Sequence, residues 1–68
     1  MKSLRAEVGR LIREKRKAKG FSQEAFALHS NIDRSYLGRI ERGEANITLD
    51  LLYQIALSLN CDPRELLL

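Results

Sequence analysis

The sequence has little of what enzymes and metal proteins commonly need. Its 68 residues contain one cysteine, one histidine, one proline and no tryptophan. Cys61 and His29 are too few to form a disulfide, a metal-binding cluster or a catalytic triad, and the carboxylates are not clustered. A glycine-rich phosphate loop is also missing. We therefore expect neither an enzyme nor a metal protein, and no cofactor is predicted.

Long hydrophobic runs are missing as well. No run approaches the roughly 20 apolar residues that cross a membrane. The charged N-terminus lacks the apolar segment of a secretory signal, and a lone cysteine is typical of a reducing compartment. A length of 68 residues favours one domain, spanning 1–68, with a small core. The sequence predicts a small soluble cytoplasmic protein.

Charge is distributed unevenly along the chain. Residues 1–19 carry eight Lys/Arg against two glutamates, whereas residues 20–68 carry four arginines against seven acidic residues. A basic first segment indicates a surface that faces a polyanion. The alternative is a solvated helix end, because cations also stabilise a helix C-terminus. Charge by itself leaves both interpretations open.

Capping residues and hydrophobic periodicity predict five helices and no strand, so the expected fold class is all-α. The helices should begin directly after Ser3, Ser22, Asp33, Thr48 and Asp62. They should end at about Lys19, before Asn31, at Gly43, at Leu59 and near Leu67. Residues 44–47 are expected to form an exposed loop between the third and fourth helices.

The predicted core comes from apolar residues at helical spacing. The predicted core positions are Leu4, Val8, Leu11 and Ile12 in helix 1, Ala25, Phe26 and Leu28 in helix 2, and Leu52, Ile55, Ala56 and Leu59 in helix 4.

The most informative segment is 22–43, SQEAFALHSNIDRSYLGRIERG. It predicts two short helices joined by a tight turn at Ser30-Asn31. At 100° per residue, one half of the second helix carries Arg34, Ser35, Gly38, Arg39 and Arg42, and the other half carries Tyr36, Leu37, Ile40 and Glu41. An inner apolar stripe below an outer row of arginines and small residues suits insertion into a groove of double-stranded DNA.

Over residues 6–67 the sequence resembles the phage-repressor-like (Xre-type) helix-turn-helix family. The segments SQEAFA, RIERG and ALSLN carry the resemblance, and DRSYLGRIERG is most similar to the controller proteins of restriction-modification systems. The resemblance implies a compact five-helix repressor-like fold. It also implies a homodimeric transcriptional regulator that reads a pseudo-palindromic operator through helix 3. A phage-type repressor and an antitoxin-type or other protein-interaction module remain open as alternatives.

The resemblance further implies roles for individual residues. Base-edge contacts in the major groove are implied for Arg34, Ser35 and Arg39, with Tyr36 touching a thymine methyl group or a phosphate. Phosphate contacts are implied for Gln23, Arg42 and Asn46. A buried structural ion pair is implied for Arg16 and Glu41. Three features depart from the family pattern: Lys15 replaces an apolar residue, Phe26 replaces the more frequent leucine, and Glu44-Ala45 lie in a loop where basic residues are frequent.

Helix 4 is more apolar than one buried face requires. The surplus residues are Leu49, Leu51, Tyr53 and Leu57, joined near the C-terminus by Leu66, Leu67 and Leu68. Exposed patches of this kind usually mark an interface. A two-fold dimer that buries them would hold two recognition helices about 34 Å apart, one turn of DNA. The alternative is that these leucines complete the core of the monomer under helix 5.

Overall fold

The computed structural model describes residues 3–67, and these residues form helices without any strand. The helices are α1 (Leu4–Ala18), α2 (Gln23–Ser30), α3 (Arg34–Glu41) and α4 (Leu49–Leu59). One turn of 3₁₀ helix follows at Pro63–Leu66. The predicted all-α class is confirmed. The predicted number of helices is wrong by one, because the described residues contain four α-helices rather than five.

The predicted fifth helix is a single 3₁₀ turn, held by a capping box. The Asp62 side chain accepts the backbone N–H of Arg64 at 2.9 Å, and the Glu65 side chain accepts the backbone N–H of Asp62 at 3.0 Å. Leu66 then enters the core, and the chain leaves in an extended conformation at Leu67. The 3₁₀ turn therefore ends at a residue that is buried in the core.

Ion pairs surround this turn and perturb its carboxyl groups. Arg64 donates hydrogen bonds to Asp62 and lowers the pKa of that carboxyl to about 2. The Nζ atom of Lys15 lies 2.7 Å from Oε1 of Glu65 and lowers the pKa of the Glu65 carboxyl. Lys15 therefore carries its ammonium out to the surface and ties α1 to the 3₁₀ turn.

The helix starts follow from the capping residues. The side-chain oxygens of Ser3, Ser22, Asp33 and Thr48 accept backbone N–H groups at 3.0 to 3.1 Å. After α2, Asn31 takes the left-handed conformation with φ of 58°. The chain therefore reverses sharply and enters α3 three residues later.

The core is formed by side chains from every helix and from the 3₁₀ turn. Its largest fully buried members are Ile12, Phe26, Leu37, Ile40, Ile55, Leu59 and Leu66. The predicted helix-4 set of Leu52, Ile55, Ala56 and Leu59 is buried as expected.

Three residues predicted for the core are exposed instead. Leu4 is 65% exposed, Leu28 is 85% exposed, and Ala25 faces solvent. The buried residues of α2 are Phe26, Ala27 and Ser30, so the helix turns only a narrow arc inward. Leu4 lies in the first turn of α1, where it borders an open groove. These assignments to the core were wrong.

The loop 44–47 is only partly exposed, contrary to the prediction. Gly43 lies so close to α1 that an added Cβ would stand 2.7 Å from Cα of Ala6, and its φ is 76°. The loop therefore starts against α1, which buries Ala45 and half-buries Ile47. Glu44 and Asn46 alone of the four loop residues are exposed.

Some of the surplus apolar residues lie in the core and others lie at the surface. Leu66 has no exposed surface, so its predicted place in an interface is wrong and it completes the monomer core. Leu51 is half-buried against the same core. Leu49, Tyr53, Leu57 and Leu67 are exposed. Leu68 lies outside the described residues.

Candidate nucleic-acid interface

The turn between α2 and α3 fixes how α3 is presented. The backbone N–H of Ile32 donates to the carbonyl of Ala27 at 2.8 Å, which closes the left-handed exit of α2. Asp33 then caps α3. On its far side α3 meets α1 at Gly9, where an added Cβ would overlap the carbonyl oxygen of Ile40. α3 is therefore held between the two helices, with one face left open.

The open face of α3 carries the predicted arginine row. Arg34, Ser35, Arg39 and Arg42 are exposed, whereas Leu37, Ile40 and Glu41 are buried. Together with Gln23, these exposed residues line a cleft of about 240 Å³ whose floor is Gly38. Gly38 itself is buried, although helical periodicity put it on the outer half, because the side chains of Arg42 and Gln23 cover it.

A chain of hydrogen bonds links the core to this face. Arg16 donates through Nε to Glu41 at 2.7 Å and through Nη2 to the same carboxylate at 3.0 Å, while its Nη1 donates to the carbonyl of Phe21. The side chains of Arg16 and Glu41 are 7% and 3% exposed, so the predicted buried ion pair is confirmed. Nε2 of Gln23 also donates to Glu41, at 3.1 Å.

This arrangement orients the Gln23 amide. Because Nε2 faces Glu41, Oε1 points toward α3 and accepts from Nη1 of Arg34 at 3.4 Å. An amide nitrogen carries two N–H groups, so one N–H of Gln23 stays available for a further acceptor. Gln23 therefore positions the first arginine of α3 while it keeps a donor of its own.

Tyr36 and Asn46 are joined across the loop. The hydroxyl of Tyr36 donates to the backbone carbonyl of Asn46 at 3.1 Å, and the Tyr36 ring is half-buried against the core. Tyr36 thus borders the open face and supports the loop that carries Asn46. The Asn46 side chain is exposed beside it.

Acidic partners distinguish the arginines of this region. Arg42 donates to Glu44 at 3.1 Å, with both side chains more than half exposed. The side chain of Arg39, in contrast, has no hydrogen bond or ion pair with any residue of the described range 3–67. Arg39 is thus a cation on the open face without an intramolecular acceptor.

The prediction from the sequence missed one residue of this surface, Arg13. Arg13 lines a second cleft, of about 420 Å³, that adjoins the first and shares Gln23, Gly38 and Arg42 with it. The signal was available in the basic segment 1–19, but periodicity within α1 could not tell which of its cations lie beside α3.

A separate apolar surface lies on α4. Leu49, Tyr53 and Leu57 are 71%, 59% and 82% exposed. Their spacing of four residues makes them one ridge along the helix. Leu49 also borders the groove that Leu4 and Leu67 line. We call Leu49, Tyr53 and Leu57 the α4 ridge.

Other kinds of site find no support in the described residues. Among residues 3–67 there is no group of His, Cys, Asp or Glu that could hold a metal ion. Over the same range, no helix is both long and apolar enough to cross a membrane.

The chain is similar in sequence to a protein family and to individual known proteins. A family model described as Helix-turn-helix matches residues 12–66. The control protein C.BamHI of Bacillus amyloliquefaciens is 35% identical over 66 residues, which make up 96% of this chain and 82% of that protein. The HTH-type transcriptional regulator SlrR of Bacillus subtilis (strain 168) is 38% identical over 60 residues, 87% of this chain, and the chain spans 40% of SlrR.

The chain is also similar to a solved structure. The restriction-modification controller protein C.AhdI from Aeromonas hydrophila has a TM-score of 0.87 and 45% identity, covering 91% of this chain and 94% of that chain.

Proposed function

Because the chain belongs to the helix-turn-helix family and is a DNA-binding transcriptional regulator, we propose that it acts as a cytoplasmic homodimer on a pseudo-palindromic operator. The open face of α3 is the observation that carries the proposal. Its arginines project from a helix that is held on both sides, beside a Gln23 amide whose orientation is set by Glu41. A rigid helix with fixed donors is what recognition of base edges in the major groove needs.

Base contacts are assigned to the outer residues of α3. Arg34 and Arg39 each reach a guanine, whose O6 and N7 accept two parallel hydrogen bonds from a guanidinium. Ser35 lies between them on the exposed face and contacts a neighbouring base. Tyr36 touches a thymine methyl group or a phosphate at the edge of the helix.

Phosphate contacts are assigned to the residues that border α3. Gln23 donates its remaining N–H to a phosphate, Arg42 contacts the backbone beside Gln23, and Asn46 contacts it from the loop. Arg42 must exchange its Glu44 partner for the phosphate. These contacts fix the register of the protein on the duplex.

The dimer is assigned to the α4 ridge with Leu67. Three large apolar side chains along one exposed helix face indicate a surface that is covered in the functional state. Ridges with a four-residue spacing interdigitate when two such helices cross. A two-fold contact would present two copies of α3 to successive major grooves.

The regulated system is proposed to be a restriction-modification operon. This part rests on the likeness to C.BamHI and C.AhdI, both of which the chain matches over most of their length. It predicts that the operator lies upstream of the protein's own gene beside restriction and methylation genes.

Selection of bound DNA from a random duplex pool at about 150 mM salt tests sequence readout. We expect enrichment of an inverted repeat with half-sites about 10 base pairs apart. On that site Arg39→Ala should lose about 10- to 100-fold in affinity, and on random DNA much less. Failure of the folded protein to enrich any sequence would contradict the proposal.

Sedimentation equilibrium tests the dimer separately. Leu57→Glu should weaken self-association, because it puts a charge into the α4 ridge. Leu28→Glu is the matched control, since Leu28 is 85% exposed on α2, outside the ridge, and Leu57 is 82% exposed. Equal behaviour of the two variants would remove the ridge from the interface.

A further inference from the structure

The second cleft of the DNA-facing side is cationic. Three arginines and one glutamate are among its six lining residues, which are Arg13, Arg16, Gln23, Gly38, Glu41 and Arg42. Glu41 is already engaged by Arg16 and Gln23 inside the molecule. Arg16 is equally buried in that pair, which leaves the exposed guanidinium groups of Arg13 and Arg42 at the cleft, and an anion is the ligand that fits them.

Arg13 differs from the neighbouring arginine of the same helix face. Arg10 is held by two carboxylates, at 3.0 Å from Glu7 and 2.7 Å from Glu14, and they raise the pKa of its guanidinium. The side chain of Arg13 is exposed and, among residues 3–67, has no hydrogen bond or ion pair. Of these two cations, only Arg13 is available to an external acceptor.

Close packing brings Arg13 to α3. Gly9, one helical turn before Arg13, lies so near the end of α3 that an added Cβ would stand 2.9 Å from the carbonyl oxygen of Glu41. Residues four apart share one helix face, so Arg13 continues the face that Gly9 presses against α3. Gly38, which is covered by the side chains of Gln23 and Arg42, lines the same cleft as Arg13.

We propose that Arg13 contacts a DNA backbone phosphate that lies in this cleft, together with the remaining N–H of Gln23 and the guanidinium of Arg42. The inference rests on the proposed function, because it takes DNA as the anion and α3 as the element in the major groove. It extends the DNA-binding surface to α1, and it assigns one cation of the basic segment 1–19 to DNA while Arg10 stays structural.

The first test compares the salt dependence of DNA binding in two charge-matched variants. Each phosphate contact contributes about 0.9 to the slope of log affinity against log salt. Arg13→Ala should therefore lower the magnitude of the slope by about 0.9 per bound protomer, on the selected operator and on random duplex alike. When salt rises from 50 to 200 mM, the ratio of the parent protein's affinity to that of Arg13→Ala should therefore fall about 3.5-fold per protomer.

Arg10→Ala removes the same charge from the same helix and should leave the slope unchanged. Both variants replace arginine with alanine, a strong helix former, and circular dichroism checks that each is folded. If Arg13→Ala and Arg10→Ala have the same slope, Arg13 acts only through net charge and the inference is wrong.

The second test identifies the phosphate. Operators carrying a single neutral methylphosphonate are bound by the parent protein and by Arg13→Ala. At one position in each half-site, the parent protein should lose affinity while Arg13→Ala loses clearly less, because part of the contact is already gone. Equal losses at every position would overturn the inference.

The outcomes separate this inference from the proposed function. Selection of an operator by the parent protein, with no methylphosphonate position that depends on Arg13, would leave the proposed function standing and remove Arg13. Absence of operator selection would remove both.

Discussion

Replacing Arg16 with methionine is the sharpest test of how the open face of α3 is supported. Methionine keeps the length of an unbranched apolar side chain but removes the guanidinium, so that Glu41 stays buried without its cation. Arg16 makes three hydrogen bonds, two to Glu41 at 2.7 and 3.0 Å and one to the Phe21 carbonyl at 2.9 Å. Among residues 3–67, only Gln23 would then still donate to the Glu41 carboxylate.

The expected loss is large for a chain of this size. Removing one partner of a buried ion pair costs about 3–5 kcal/mol. At roughly 0.05–0.15 kcal/mol per residue, a chain of 68 residues has a total stability of about 3–10 kcal/mol. Arg16→Met should therefore lower the melting temperature by more than about 12 °C, since each kcal/mol shifts it by about 4–8 °C, and a fraction of the protein should be unfolded at 37 °C.

Urea and thermal unfolding followed by circular dichroism measure this loss. Arg10→Met is the control, because exposed ion pairs such as those of Arg10 contribute little to stability. The double variant Arg16→Met/Glu41→Leu should regain most of the stability, because apolar side chains then replace both charges. An Arg16→Met variant within about 0.5 kcal/mol of the parent protein, or a double variant as unstable as the single one, would refute the reasoning.

Three further predictions concern other parts of the molecule. Glu44→Gln should raise affinity about 2- to 5-fold on any duplex in fluorescence anisotropy, since Arg42 is released and a repelling carboxylate is removed; unchanged affinity would contradict it. Gly9→Ala should lower stability by about 1–3 kcal/mol in thermal unfolding, because its Cβ would meet rigid backbone. In Gly38→Ala the added Cβ would lie nearest to side-chain atoms of Arg42 and Gln23, so the loss of stability should be smaller. A larger loss of stability for Gly38→Ala than for Gly9→Ala would be inconsistent with the packing described. The lowered pKa of Asp62, about 2, means that its charge stabilises the fold above pH 4 and that this contribution is lost as pH falls through 2. The urea midpoint of Asp62→Asn should therefore lie below that of the parent protein at pH 5, and the difference should be much smaller at pH 2.5. A difference independent of pH would argue against the charge effect.

The exposed and buried sides of α3 could be predicted from the sequence because the evidence was local. Asp33 marks the start of α3, and Leu37 and Ile40 define its buried side by helical periodicity. The outer positions of Arg34 and Arg39 then follow from geometry within one helix. The Arg16–Glu41 pair was found differently, through resemblance to a family, since 25 residues separate its members.

The misplaced residues share a cause. Leu28 and Phe26 both have the hydrophobicity of core residues, yet α2 turns only Phe26 inward. Leu66 and Leu67 are adjacent and identical, yet the 3₁₀ turn buries the first and exposes the second. In each case the outcome depends on which distant helix covers the position, and composition within a short window carries no such information.

The sequence by itself determined the four α-helices, their caps, the two-sided character of α3 and the surplus of apolar residues on α4, because these depend on interactions between residues three or four positions apart. Only the tertiary structure decided which surplus residues remain exposed, which arginines have acidic partners, and that Arg13 of α1 lies beside Gln23 and Gly38. Those facts depend on where α1, α3 and α4 cross, and the crossing is set by the packing of the whole core.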